Sequence, residues 1–378
     1  MAALTGTTGI AQAQAAEPGE KALAEAVRLR PDEPQAGVIA HVAGPGLDWW
    51  GSDGDRHSGR PIRPDSAYRT GSVDKTFTAV VALQLAGEHR IDLDRPVQDY
   101  LPGALPPRSA DGSSGFGPVT IRQLLTMTSG LPDIDAGSPP ATPDEIIRER
   151  FAYRDFTRIV DDTLRPRDRP WPGEVFPTGT QQEYNTLNYR VLGDLIERVS
   201  GHSFAREVRS RILRPLRLDH TFLPERDPRM PQPHLVGYAR DSRGDLVDVS
   251  AQRGEPNFIT STPSDVQRFF AALFRSQLLA PAQQAELFAT PDVPYRDKRN
   301  CIMVARPGRA CFSAGLMRAD LPGGPTIWGK SGSNLGYTGA VFATRDFSRS
   351  VVVATSNQDR SGSPPPVTIR LLMTAFLN

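Results

Sequence analysis

The stretch of the chain with the least amphipathic character is the most informative. In Ser72–Ala86, Phe77, Val80, Val81, Leu83 and Leu85 put apolar residues on nearly every face of a helix, so the pattern predicts a helix buried all round. Asn188–Val199 is the opposite case. There Val191, Leu192, Leu195, Ile196 and Val199 form a single stripe, and Gly201 stands where a C-cap glycine belongs. A polar helix is expected near Lys21–Leu29, and another helix over Asp265–Phe274 with Ser264 as its N-cap. The period changes toward both ends of the chain. Val38–Val42 and Leu47–Trp50 read as a strand pair turning at Gly44-Pro45-Gly46. Thr326–Ser331, Tyr337–Thr344 and Ser350–Thr355 read as short strands separated by Gly, Asn and Asp turns, and Pro366–Leu377 as a closing amphipathic helix. Strands at both ends with a helical, loop-rich middle predict an α/β protein in which one sheet is built from both termini. Residues 17–75 and 255–378 are assigned to that sheet domain and 76–254 to an inserted all-helical domain.

Composition narrows the function classes. With 44 basic and 43 acidic residues in 378, the net charge is +1, which argues against a phosphate-binding surface and hence against nucleic acid as a partner. No run of about 18 apolar residues is present, so no membrane span is expected. Residues 1–16 resemble the end of a secretory leader, with Ala13-Gln14-Ala15 placed as a signal-peptidase site, and a secreted protein is the expectation. Cys301 and Cys311 would close a short hairpin if oxidised, for about 2.5–3 kcal/mol of chain entropy. The six histidines lack HExxH or paired spacing, so no metal is expected, and no cofactor. One bias changes the picture more than these. Only four of the basic residues are lysines, at 21, 75, 298 and 330, which makes each worth inspecting.

Two of them fall in chemical motifs. Ser72-Val73-Asp74-Lys75 starts the buried helix, and the i, i+3 spacing puts the serine hydroxyl beside an amine able to take its proton, at a helix N-terminus that favours negative charge. A lone SxxK is more often a capping serine and a solvated lysine, but a lysine inside an all-apolar helix is costly unless it has a task. Gly329-Lys330-Ser331-Gly332-Ser333 lies on a predicted strand, where a cation, a small hydroxyl and a glycine let a substrate lie close to the backbone. Tyr184-Asn185-Thr186 precedes the Asn188 helix and offers a phenol that neighbouring lysines would activate. Gly324–Ser331 also fits the phosphate-cradling GxxxxGK[ST] pattern, yet turn formers follow it instead of a helix, so it is a decoy. No GxSxG elbow is present.

In this order the three motifs resemble the penicillin-recognising serine hydrolases, a group that includes serine DD-carboxypeptidases, class C β-lactamases and related esterases and peptidases. The resemblance runs over nearly the whole chain from about residue 30 and includes Leu93-Asp94-Arg95-Pro96-Val97 and Ile121-Arg122-Gln123-Leu124-Leu125 through Gly130-Leu131-Pro132. It implies a β-lactamase/transpeptidase-like fold, an antiparallel sheet flanked by helices, with Ser72 in the cleft beside the helical insert. It further implies Ser72 as the acylated nucleophile, Lys75 as its proton-accepting partner, Tyr184 as the proton relay, and Lys330 as the group that polarises Tyr184 and attracts a carboxylate. The N–H groups of Ser72 and Ser333 would form the oxyanion hole, with Thr186, Ser331, Gly332 and Arg318 around the substrate. Three positions depart from the family pattern. Thr186 stands for the Asn of Tyr-x-Asn, Met127 for the His before Thr-Ser-Gly, and Met317 for a carboxylate-binding arginine, with Arg318 one residue on and facing the other side of its strand. The implied activity is hydrolysis of a peptide or amide through an acyl-serine, D-alanyl-D-alanine carboxypeptidase first. An esterase, a β-lactamase or a peptide acyltransferase of the same fold stands as the alternative, together with a penicillin-binding sensor that does not turn over. The expected partner is a small peptide or acyl substrate, a peptidoglycan stem peptide or β-lactam, bound by a monomer.

Overall fold

The computed structural model describes residues 18–134, 141–168, 170–296, 301, 306–357 and 364–377; the leader at 1–16 and Lys298 lie outside them. The chain enters through α1 (Pro18–Ala26) and the hairpin β1 (Gly37–Gly44) and β2 (Leu47–Asp53). A two-residue strand, β3 (Tyr68–Arg69), leads through a 3₁₀ turn at Gly71–Val73 into α2 (Asp74–Gly87). The middle of the chain supplies α3 (Ile121–Leu125), α4 (Pro143–Glu149), α5 (Phe156–Leu164), α6 (Leu187–Ser200) and α7 (Phe204–Val208). Then come the small strands β4 (Tyr238–Arg240), β5 (Leu246–Asp248) and β6 (Thr260–Ser261), and helices α8 (Pro263–Phe274) and α9 (Pro281–Leu287). The chain closes with β7 (Met317–Asp320), β8 (Thr326–Asn334), β9 (Tyr337–Thr344), β10 (Ser350–Ser356) and α10 (Pro366–Leu377).

Both ends of the chain share one antiparallel sheet of order β2-β1-β10-β9-β8-β7. In β1, Gly37 pairs with Ser356 and Ala43 with Ser350, so the first long strand lies against the last. The sheet is covered on both faces, and the pleat sorts its side chains accordingly. Val351 and Val353 join Val38, Ala40 and Val42 under Leu371 of α10 and Leu23 of α1. Val352 and Ala354 join Val341 and Ile39 in the larger core with Phe77, Val80 and Leu83 of α2 and Phe269 of α8. That is why β10 reads as an unbroken apolar run instead of an alternation. The residues of α2 from Asp74 to Leu83 are all buried, as the uniform apolar pattern predicts. The left-handed C-cap of α6 at Gly201, with φ of 75°, stands where the stripe placed it.

Two details correct the sequence reading. The N-cap of α8 is Thr262, whose hydroxyl accepts the Asp265 N–H, and Ser264 lies inside the first turn because Pro263 is already helical. The 76–254 segment is not all-helical. It carries the β4–β5 hairpin, where Tyr238 pairs with Asp248, too short a pair to show as an alternation.

Cys301 and Cys311 are joined by a disulfide, ten residues apart in the chain. Replacing both with alanine is expected to lower the unfolding free energy by about 2.5–3 kcal/mol, read as a shift in the denaturant midpoint at constant m-value.

Candidate active site

The site is assembled where β8 touches the turn that opens α2. Gly71 has φ of +54°, a conformation that disfavours an L side chain, and a Cβ there would fall 2.6 Å from the Ser333 backbone nitrogen. Gly332 is constrained from the other side: its Cβ would meet the Thr70 carbonyl and come within 2.7 Å of the Ser72 nitrogen. Two glycines therefore bring the backbone at Ser333 and the backbone at Ser72 into contact. Ser72 is half-buried at the start of the helix, where N–H groups are unpaired by the helix itself.

Two side chains converge on its hydroxyl. Tyr184 donates its phenolic O–H to Ser72 Oγ at 2.7 Å, and Lys75 donates from Nζ at 3.2 Å. Lys75 is buried, only 1% exposed, with Nζ 5.4 Å from the Tyr184 ring centre and 5.8 Å from that of Tyr189. Lys330 is also buried, gives a hydrogen bond to the Ser331 carbonyl at 2.8 Å, and sits 5.0 Å from the Tyr184 ring centre and 5.7 Å from that of Phe312. Burial alone would raise the Tyr184 phenol, but the Lys330 and Lys75 ammoniums and the bond to Ser72 bring it below the ordinary tyrosine value. Burial likewise depresses the Lys330 ammonium, against the pull of Tyr184. The result is a phenol poised to exchange a proton with a serine hydroxyl.

The loop carrying Tyr184 is fixed from several sides. Gln182 uses its whole amide: Nε2 donates to the Thr126 and Phe312 carbonyls, and Oε1 accepts from the Cys311 and Phe312 N–H groups, at 2.7–3.0 Å. Asn185 donates to the Leu131 carbonyl and accepts the Asn188 N–H, capping α6. Asp133 Oδ1 accepts from Ile134, Thr186 and Leu187 N–H groups at the same helix end. Burial raises the Asp133 carboxyl, and those N–H donors oppose it. The Tyr189 hydroxyl donates to the Leu125 carbonyl and accepts the Gly315 N–H, tying α6 to the segment before β7.

Of the residues expected from the sequence, the structure brings Ser72, Lys75, Tyr184, Lys330 and the Gly332–Ser333 backbone together. Ser331 contributes its carbonyl to Lys330. Thr186 sits two residues past Tyr184 with its N–H on Asp133, and its hydroxyl makes no capping bond to α6. Arg318 goes elsewhere. It faces Trp328 across the strand pair and gives both hydrogen bonds to Asp320, at 3.1 and 3.0 Å. Met317 pairs with Gly329, and Met127 is core, only 1% exposed. β7 pairs with β8 only from Thr326 to Gly329, so Lys330–Ser333 has no strand on its outer edge among the described residues. A bound chain can lie there as an added strand. Among the described residues no cluster of three metal-ligating side chains occurs and no helix is long and apolar enough to cross a membrane.

The sequence reading passed over Asp74 and its surroundings. Asp74 is 2% exposed, with Oδ1 3.8 Å from Lys75 Nζ. Its Oδ2 accepts from Asn257 Nδ2 at 2.9 Å and lies 3.7 Å from Arg190, which is itself ion-paired with Glu255. Nothing local marks these partners, because residues 190, 255 and 257 meet residue 74 only in the fold.

The Beta-lactamase family model matches residues 29–374. Esterase EstB of Burkholderia gladioli is 34% identical over 215 residues, 56% of this chain and 53% of that protein. Protein flp of Staphylococcus aureus is 31% identical over 159 residues, 42% of this chain and 28% of that one. The match thus spans about half, or less, of the length of these curated relatives. Among solved structures, D-stereospecific amidohydrolase from Streptomyces sp. superposes with a TM-score of 0.78 at 26% identity, over 95% of this chain and 98% of that one. D-amino acid amidase from Ochrobactrum anthropi SV3 does so with 0.75 at 20% identity, over 95% and 98%, a likeness of fold.

Because a methyl group at Gly332 has no room, Gly332→Ala is expected to slow acylation by about 10²–10³, the usual loss when one oxyanion donor is displaced. The release of p-nitrophenol from p-nitrophenyl acetate measures it, with a thermal melt to show that the variant is folded.

Proposed function

The chain belongs to the Beta-lactamase family and is a serine hydrolase, and from that premise we propose that it cleaves amide or peptide bonds of D-configured aminoacyl groups through an acyl-Ser72 ester. The observation that carries the reading is the convergence of Tyr184 and Lys75 on one serine hydroxyl at 2.7 and 3.2 Å. Ser72 Oγ attacks the substrate carbonyl as its proton passes into the Tyr184–Lys75 pair. The carbonyl oxygen takes up negative charge against the Ser72 and Ser333 N–H groups, and the leaving amine departs with the proton from Tyr184. Water then repeats the sequence on the ester and frees the acid.

Amide chemistry of D-configured substrates is supported by the likeness to the Streptomyces amidohydrolase along nearly the full length of both chains. D-alanyl-D-alanine carboxypeptidase is a narrower form of the same reaction. It requires a cation for a terminal carboxylate, and Arg318 is committed to Asp320 while Met317 carries no charge. Lys330 is left to serve that purpose, buried as it is behind Tyr184. Neutral amides and internal peptide bonds are therefore favoured over free carboxy-terminal dipeptides. Ester hydrolysis is the second reading, favoured by the 34% identity with esterase EstB. A secreted location belongs to the proposal, since oxidising compartments maintain bonds such as Cys301–Cys311.

A hydrolysis panel of D-phenylalanine amide, L-phenylalanine amide, a D-Ala-D-Ala peptide, a cephalosporin and p-nitrophenyl acetate ranks the readings. The expected order puts the D-amide above its L form and above the D-Ala-D-Ala peptide; ester turnover without amide turnover would replace the amide reading with the esterase. A fluorescent penicillin or fluorophosphonate adduct mapped by mass spectrometry is expected on Ser72 and to vanish in Ser72→Ala.

A further inference from the structure

The nucleophile turn contains one ionisable residue for which the acyl-transfer scheme has no task. Asp74 stands between Ser72 and Lys75 and is buried, whereas an acid in the first turn of a helix ordinarily complements the helix dipole from the surface. Its two oxygens are differently placed. Oδ2 is anchored by Asn257 from the loop before β6 and by Arg190 from α6, which directs Oδ1 toward Lys75 Nζ at 3.8 Å. Among the described contacts Oδ1 accepts no hydrogen bond, so the nearby ammonium is its compensation. A residue needed only for packing would not require a charge fixed from two other elements.

The groups that face this carboxylate define what it does. Lys75 approaches from its own helix, Arg190 from α6, Glu255 and Asn257 from the loop, and Lys330 from β8. Lys75 is in turn faced by Ser72, by the rings of Tyr184 and Tyr189, and by Asp133 from the loop that caps α6. Arg190 is matched by Glu255, which leaves Asp74 to match Lys75 and leaves Lys330 to Tyr184. Burial raises the Asp74 carboxyl above the ordinary carboxylate value, and Lys75 and Arg190 oppose that rise without cancelling it.

We propose that Asp74 is a positioning residue for the reaction: its carboxylate keeps Lys75 as an ammonium beside Ser72, so that Tyr184 is the group that takes the Ser72 proton. The proposal rests on the acyl-Ser72 reading. In the form that reacts, Tyr184 has first given its phenolic proton to solvent; as the Oγ–carbonyl bond forms, the Ser72 proton moves to that phenolate oxygen and the carbonyl π pair moves to the oxygen held by the Ser72 and Ser333 N–H groups. As the intermediate collapses, that pair returns, the bond to the leaving group breaks, and the Tyr184 proton goes to the leaving group. Lys75 keeps its three protons throughout and stabilises the phenolate by charge.

The test is the pH dependence of kcat/KM for p-nitrophenyl acetate in the wild type and in Asp74→Asn, which keeps the volume and the acceptor for Asn257. Removing the negative charge makes Tyr184 release its proton more readily. The acid limb of the profile is therefore expected to move toward acid, by about one to three pH units. A fall in rate with that limb unmoved would mean a structural role and overturn the proposal. Glu255→Gln removes a more distant negative charge and is expected to move the same limb the same way by less, which keeps the test available if Asp74→Asn does not fold. Wild-type hydrolysis that persists in Ser72→Ala would instead overturn the acyl-serine reading itself.

Discussion

Between Gly332 of β8 and the Thr70–Ser72 turn, two backbones meet with no side chain between them, and the rest of the site is arranged around that meeting. It sets the height of Ser72 against the sheet, and with it the space between the Ser72 and Ser333 amides where the proposed mechanism puts the oxyanion. It places Lys330, two residues earlier on the same strand face as Gly332, under the Tyr184 ring. It explains why α2 is buried on every side: the helix runs from the contact directly into the space between the sheet and the helices of the central segment. A change of even one methyl group at the contact would shift β8 and Ser72 relative to each other.

The electrostatics follow from excluding water around this contact. Within a small buried volume the protein holds Lys75, Lys330, Asp74, Arg190 and Glu255 in an arrangement where opposite charges adjoin. In such surroundings each charge is felt more strongly than in water, and Tyr184 registers the excess of ammonium groups near it. The choice of cation matters. A chain that uses arginine for most of its basic residues uses lysine on both sides of Tyr184. A lysine presents a compact charge on a flexible stem, whereas a guanidinium would impose a planar fork for which the Ser72 hydroxyl and the Tyr184 ring offer no matching pair of acceptors.

How much of this the sequence discloses depends on whether the governing interaction is local. The burial of α2, the strand pair at the amino terminus and the closing strands follow from periodicity, because an element buried on one face or all round shows that fact in its own residues. Ser72, Lys75, Tyr184 and Lys330 are legible because each stands in a short motif. Asp74 is part of one of those motifs but is meaningful only with Asn257, Arg190 and Glu255, which sequence distance hides. Arg318 is the converse. The resemblance put it one residue from a carboxylate-binding position, and only its hydrogen bonds in the fold show that Asp320, two residues away, takes that guanidinium. The N-cap of α8 moved from Ser264 to Thr262 because the choice between adjacent hydroxyls is made by backbone geometry at Pro263. The β4–β5 hairpin was invisible because three-residue strands are shorter than any pattern they could display.

The pairing of β1 with β10, Gly37 against Ser356, has a consequence for how the protein comes into being. During synthesis α2 leaves the ribosome long before the strands that complete its surroundings, and β1 waits without its central neighbour until nearly the whole chain has been made. Contacts so distant along the chain close slowly, and an all-apolar helix that precedes them is exposed in the interval. The same order is a safeguard. Lys330 and Ser333 are supplied by β8, so in the proposed mechanism Ser72 gains its polarised tyrosine and its second oxyanion donor only when the sheet closes. A partly made chain holds the serine but not the means to use it.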